Sequence, residues 1–140
     1  MSVIDTSTEF GQRVARRLAE EKVVWLTTVD SSGTPQPNPV WFLWDGQSIV
    51  IYSQPNQPKI RNIARSSHVS INFNSDFHGG DVVIIAGTAQ VDAAIPPADQ
   101  IPAYVEKYAD GMASINLTPE SFAAIYSAPI RFTPTKVRGF

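Results

Sequence analysis

The residues of this sequence best suited to chemistry stand close together in "SQPNQPKIRNIARSS" (53–67), where Lys59, Arg61 and Arg65 surround Asn62 and no acid balances them. Asn56 and Pro58 suit the entry of a short helix, as N-cap and first-turn residue. A helix N-terminus already carries about half a positive charge, so each cation there ordinarily costs about 0.3–1 kcal/mol. The arrangement becomes favourable when a small anion occupies the helix start. Free backbone N–H groups, the dipole and the Lys59 ammonium then meet it together. The same charges also suit a solvated basic face on a surface helix.

A second feature is "PQPNPVWF", with prolines at 35, 37 and 39. Each removes a backbone donor and leaves exposed carbonyls, which confines the stretch to a sheet edge. Such an edge suits a flat ring. It equally guards the edge against strand-to-strand aggregation. The aromatic run Trp41, Phe42 and Trp44 that follows reads as core or as a subunit interface.

Other chemistries drop out. The sequence has no cysteine, which excludes disulfides, thiolate metal sites and cysteine nucleophiles. His68 and His78 flank a hairpin with no third ligand at metal spacing, so no metal site is expected. Neither G-x-S-x-G, G-x-G-x-x-G nor the P-loop pattern occurs, which removes hydrolase and Rossmann readings. A formal charge of −2 on 140 residues gives no field for nucleic acid, and no apolar run approaches a membrane span. With 43% hydrophobic and 17% charged residues and no leader-like N-terminus, one cytoplasmic globular domain over 1–140 is expected.

The elements that must position these residues are mostly strands. Thr6 and Glu9 read as a capping box, with Phe10, Val14 and Leu18 at helical spacing up to about Glu21. "VVWLTTV" (23–29) is a strand, and the second half of "QPNPVWFLWDG" (36–46) pairs through Asp45-Gly46 with "SIVIYS" (48–53). The basic helix follows, with Ile60, Ile63 and Ala64 on its apolar face. "HVSINFN" (68–74), "DVVIIAGTAQVD" (81–92) and "IRFTPTKVRGF" (130–140, interrupted at Pro134) complete six strands. "PADQIPAYVEKYADG" (97–111), stopped by Gly111, and "TPESFAAIY" (118–126) read as helices. Few crossover helices argue for an antiparallel barrel.

The order of these pieces resembles the flavin-binding split barrel of the pyridoxamine 5'-phosphate oxidase superfamily. It is most similar to the small actinobacterial reductases that use the deazaflavin coenzyme F-420. "VVWLTTVDSSGTPQPNPVWFLWDG", "PKIRNIARSSHVSINF" and "TPTKVRGF" carry the resemblance. It implies a mainly β chain with peripheral helices, a six-stranded antiparallel split β-barrel. A single small barrel leaves one sheet face and an aromatic band uncovered, which predicts a two-fold homodimer with two coenzyme sites at the subunit boundary. Lys59, Arg61 and Asn62 would hold the coenzyme phosphate, and Gln36, Pro37, Asn38, Pro39 and Val40 would run beside the ring. Tyr52, Ser53, Arg65 and His78 would make further coenzyme contacts, and Arg65, Lys136 or Arg138 would suit an anionic tail. The implied activity is hydride transfer from reduced coenzyme F-420 to a small conjugated organic acceptor. FMN in the same fold is the alternative, and a non-catalytic carrier of flavin or haem is a third reading. The cofactor bears the redox chemistry, so no catalytic residue is assigned. Tyr52, Tyr126 and His78 are candidates for supplying a proton, and the loops at 75–80 and 109–118 for choosing the acceptor. The longer basic set of the oxidase proper is missing, which argues against vitamin B6 oxidation.

Overall fold

The computed structural model describes residues 3–140. Its elements are α1 (Glu9–Glu20), β1 (Val24–Val29), β2 (Pro35–Val40), β3 (Leu43–Trp44), β4 (Ile49–Ser53), α2 (Pro58–Arg65), β5 (His68–Asn72), β6 (Val83–Val91), α3 (Pro102–Ser114), α4 (Pro119–Ile125) and β7 (Ala128–Gly139), with a 3-10 turn at Ala98–Gln100 before α3. The strands form one antiparallel sheet in the order β2-β1-β5-β6-β7-β4-β3. The two edge strands, β2 and β3, are consecutive in the chain and separated only by residues 41 and 42. The sheet therefore curls until its edges nearly meet, which is a barrel with one split.

Seven strands replace the six expected, because the stretch 36–46 breaks at Trp41–Phe42 into two strands on opposite edges. The prolines do lie on an edge: Pro35, Pro37 and Pro39 stand opposite Val29, Thr27 and Trp25. Asp45 and Gly46 do turn a hairpin, with Gly46 at φ +96° and Leu43 opposite Val50. In β7, Pro134 coincides with a bulge that leaves Thr135 unpaired against β6, between the pairs Gly87–Pro134 and Ala86–Lys136. The strands approach so closely there that a Cβ on Gly87 would meet the Thr133 carbonyl oxygen at 2.3 Å.

Alternation sets the inside of the barrel. Val24, Leu26, Ile71, Val83, Ile85, Ile130 and Phe132 point inward, and Val14 and Leu18 of α1 with Ile63 of α2 close the ends. A second cluster lies outside the sheet, where α3 and α4 cover Val50 and Tyr52 of β4.

Helix ends differ from expectation in detail. The N-cap of α1 is Thr8, whose hydroxyl accepts from the Gly11 N–H, so the Thr6–Glu9 box does not form. For α2 the cap position is Gln57 rather than Asn56, with no side-chain bond. Its inner face carries Asn62 and Ile63, while Ala64 is exposed. Gly111 does not stop α3, which runs on to Ser114. Trp41 lies against that glycine, and a Cβ there would meet the indole at 3.1 Å. Thr118 caps α4 in a reciprocal box with Ser121.

Candidate functional site

The end of β2, the crossover at Trp41, the end of β4 and the entry to α2 converge on one cavity of about 370 Å³, which α3 and α4 close from the other side. Its polar half comes from Ser53, Gln54, Gln57 and Lys59, and its apolar half from Val40, Trp41, Ile115, Phe122 and Tyr126.

Lys59 occupies the second position of α2, where the cap residue contributes no side-chain acceptor and the first turn holds no acid. Among the described residues its ammonium has no ion pair. Half-buried, it loses water without gaining a counter-charge, and that desolvation pulls its pKa below the usual lysine value. An anion at the helix start would relieve both costs. The donor set thus fits a phosphate group, and the aromatic wall beside it fits a flat ring.

The aromatic wall is built by stacking. Trp41 lies parallel to Tyr108 (centroids 4.6 Å, 4°) and to Phe122 (5.5 Å, 15°), and Phe122 to Tyr126 (4.5 Å, 18°). Tyr104 packs against Tyr52, Tyr108 and Phe122. All four tyrosines of the sequence stand in this cluster. Phe42, next to Trp41, is gripped from both sides. The Tyr108 hydroxyl accepts from its N–H at 2.8 Å, and Lys107 Nζ donates to its carbonyl at 2.9 Å while lying 3.7 Å from its ring centroid. Burial, with Lys22 nearby, pulls the Lys107 pKa down to about 8. Burial, with Asp99 nearby, pushes Tyr52 up to about 12. It also raises Tyr104 and Tyr108.

Of the residues singled out from sequence, Pro39, Val40, Tyr52, Ser53 and Lys59 line the cavity together. Gln36, Pro37 and Asn38 are exposed further along β2, and the Gln36 amide folds back to donate to Asp30 at 2.9 Å. Asn62 is 4% exposed and donates to the Thr28 hydroxyl at 3.0 Å, tying α2 to β1, and it does not line the cavity. Arg61 and Arg65 also lie off the cavity wall, bonding the carbonyls of Asn56 (3.3 Å) and Val29 (3.4 Å). Arg61, two residues after Lys59, lies on the far side of the helix, and Arg65, four residues further along, shares that side. His78 stands on the exposed 75–80 turn, which does not line the cavity. Of the two loops expected to choose an acceptor, only 109–118 contributes, through Ile115. Sequence reasoning missed Phe122 and Gln57 and read Trp41 as core or interface. The aromatic spacing of the two late helices was the available signal. Among the described residues no group of three histidine or acidic side chains could hold a metal ion. Nor, among them, is any helix long and apolar enough to cross a membrane.

Comparison with known proteins agrees with this architecture. An F420 reductase superposes with a TM-score of 0.67 at 24% identity, over 88% of this chain and 94% of that one. The haem storage protein HutZ of Vibrio cholerae superposes with 0.65 at 14% identity, over 94% and 95%. A conserved protein of Mycobacterium tuberculosis, Rv2991, gives 0.69 at 17%, over 94% and 82%. At these identities the likeness is one of fold. No significant match is found among curated protein sequences. The family model described as pyridoxamine 5'-phosphate oxidase, however, matches residues 10–139. With nearly the whole sheet and both late helices inside that match, the chain belongs to the pyridoxamine 5'-phosphate oxidase family.

Proposed function

We propose that the protein is an oxidoreductase that binds a phosphorylated tricyclic cofactor, coenzyme F-420 with FMN as the alternative, and reduces a small conjugated organic acceptor. The observation that carries this reading is the unpaired, half-buried Lys59 at an uncompensated helix N-terminus, facing an aromatic wall across one cavity. Lys59 and the N-terminus of α2 would hold the phosphate. Pro39 and Val40 would border the ring, and Trp41 with Phe122 would exclude water. The cofactor, when bound, supplies the hydride. The F420 reductase of similar fold favours the deazaflavin. A haem role has less support: the residues lining the cavity include no His, Met or Cys, and of its two tyrosines Tyr52 already donates to the Pro96 carbonyl.

The functional unit in this reading is a two-fold homodimer with two cofactor sites. Strand β2 is exposed along nearly its whole length, and neither hydrophobic cluster covers the outward residues Trp25 and Thr27 beside it. Such an uncovered face suits a second copy of the chain. Sedimentation at micromolar concentration is expected to give a dimer, and a monomer that binds cofactor normally would remove this part of the reading.

Titration with F-420 and with FMN, for the wild type and Lys59→Ala, tests the cofactor assignment. A charge-assisted phosphate contact is worth roughly 1.5–3 kcal/mol, so Lys59→Ala should bind about 10- to 100-fold more weakly. Equal affinity in the two proteins would dismiss the phosphate role.

A further inference from the structure

We infer that Tyr126 is a catalytic residue, donating its phenolic hydrogen to the oxygen of a planar carbonyl-bearing acceptor held against the aromatic wall; this rests on the oxidoreductase reading above. Few groups inside the cavity can give up a proton to an acceptor. Tyr52 already donates to the Pro96 carbonyl at 2.6 Å. Ser53 donates to the Gln54 carbonyl at 2.9 Å. Lys59 faces the phosphate position. Gln54 and Gln57 carry amides, which can orient an oxygen but not protonate it. Tyr126 remains: it lines the cavity, is half-buried, and its hydroxyl has no hydrogen-bond partner among the described residues. The other two tyrosines of the cluster are not available. Tyr108 is bound to the Lys22 and Phe42 carbonyls at 2.8 Å, and the buried Tyr104 hydroxyl is shut off from the cavity.

The ring of Tyr126 is held while its O–H stays free. Phe122 covers one face at 4.5 Å, and the Tyr126 N–H bonds the Phe122 carbonyl at 2.8 Å where α4 ends. The hydroxyl torsion is thus the main freedom left, which favours a donor aimed before the acceptor arrives.

The step balances as a two-electron reduction. Hydride from a dihydro-deazaflavin or dihydroflavin forms a C–H or O–H bond on the conjugated acceptor, and the electron pair displaced from the π-system collects on a carbonyl oxygen. The Tyr126 O–H bond then breaks as the new O–H bond forms, and the phenolate recovers its proton from solvent at the half-exposed mouth. A quinone thereby leaves as its hydroquinone.

Tyr126→Phe keeps the stack and removes only the hydroxyl. Wild type and variant are compared with F-420 and FMN binding, then with two acceptors, menadione and phenazine methosulfate. The second is a cation that hydride neutralises, so no oxygen gains charge. Menadione kcat is expected to fall about 10- to 100-fold with KM within about threefold, at the low end of general-acid contributions. Phenazine methosulfate turnover and cofactor affinity should stay within about twofold, and Tyr104→Phe should behave as wild type with both acceptors. Menadione turnover by Tyr126→Phe within about threefold of wild type overturns the assignment. So does an equal loss with both acceptors, which would make Tyr126 a packing residue. Wild-type protein that binds cofactor but reduces neither acceptor overturns the reductase reading and the Tyr126 role with it. Protein that binds neither cofactor removes the cofactor assignment itself.

Discussion

The two hydrophobic clusters are made of different materials. The barrel interior is mostly aliphatic, with Leu26, Ile49, Ile51, Ile71, Ile85 and Ile130 at or below 1% exposure, and contains no tyrosine. The outer cluster gathers all four tyrosines with Trp41 and Phe122, and one buried hydroxyl, that of Tyr104, has no partner. Branched aliphatic side chains fill an alternating pleated surface densely and need no polar partners. Flat rings make a wall that can accept another ring, and their hydroxyls bring hydrogen-bonding cost and opportunity together. The barrel therefore serves as scaffold, and the α3–α4 cluster as one side of the site.

The strongest way to break this division is by truncation on each side. Ile71→Ala should cost about 2–5 kcal/mol of stability by leaving a cavity in the barrel, without changing the cofactor affinity of the folded protein. Phe122→Ala should cost a similar amount and also weaken cofactor binding, because it removes the middle of the Trp41–Phe122–Tyr126 stack. Chemical denaturation with parallel titration measures both. Equal cofactor affinity in the two variants would show that the outer cluster is only a second core.

Lys59→Glu should bind cofactor more weakly than Lys59→Ala, since it sets like charge against the phosphate. It should raise the stability of the apoprotein by about 0.3–1 kcal/mol by complementing the α2 dipole. A variant that gains affinity would contradict the anion site.

The Lys107 clamp gives a smaller effect, read from the pH dependence of unfolding. Its pKa is near 8 in the folded chain against 10.5 when free, so between these values the folded state binds fewer protons than the unfolded state. Stability therefore rises with pH across that window, by about 1 kcal/mol after allowance for solvent screening at a half-exposed group. Above about pH 10 the sign reverses. The buried tyrosines, Tyr52 among them at about 12, stay protonated when folded but ionise when unfolded. Lys107→Met should shrink the rise to the part that Lys59, also lowered by burial, contributes, and keep the alkaline loss.

The smallest expected effect is Tyr104→Phe. Removing a buried hydroxyl that lacks a partner should leave stability unchanged or raise it by up to about 1 kcal/mol. A loss above about 1 kcal/mol would mean that this hydroxyl is satisfied in solution.

Much of this molecule was set by local sequence alone. The prolines at 35, 37 and 39 fixed an edge strand because none can donate to a ladder, and Asp45-Gly46 fixed a hairpin because a glycine there tolerates positive φ. The uncompensated charge of Lys59 at a helix start was likewise visible, since it needs only chain order and the dipole. Tertiary structure decided what such rules cannot reach. Asn62 turned inward because Thr28, 34 positions away, offered a hydroxyl. Gly111 lies within a helix rather than ending one because the Trp41 indole lies against it. The split at residues 41 and 42 put one continuous-looking strand on both edges of the sheet, giving seven strands for six. The cavity joins residues from Pro39 to Tyr126, and no local pattern fixes contacts across that distance; only the closing of the barrel and the docking of α3 and α4 bring them together.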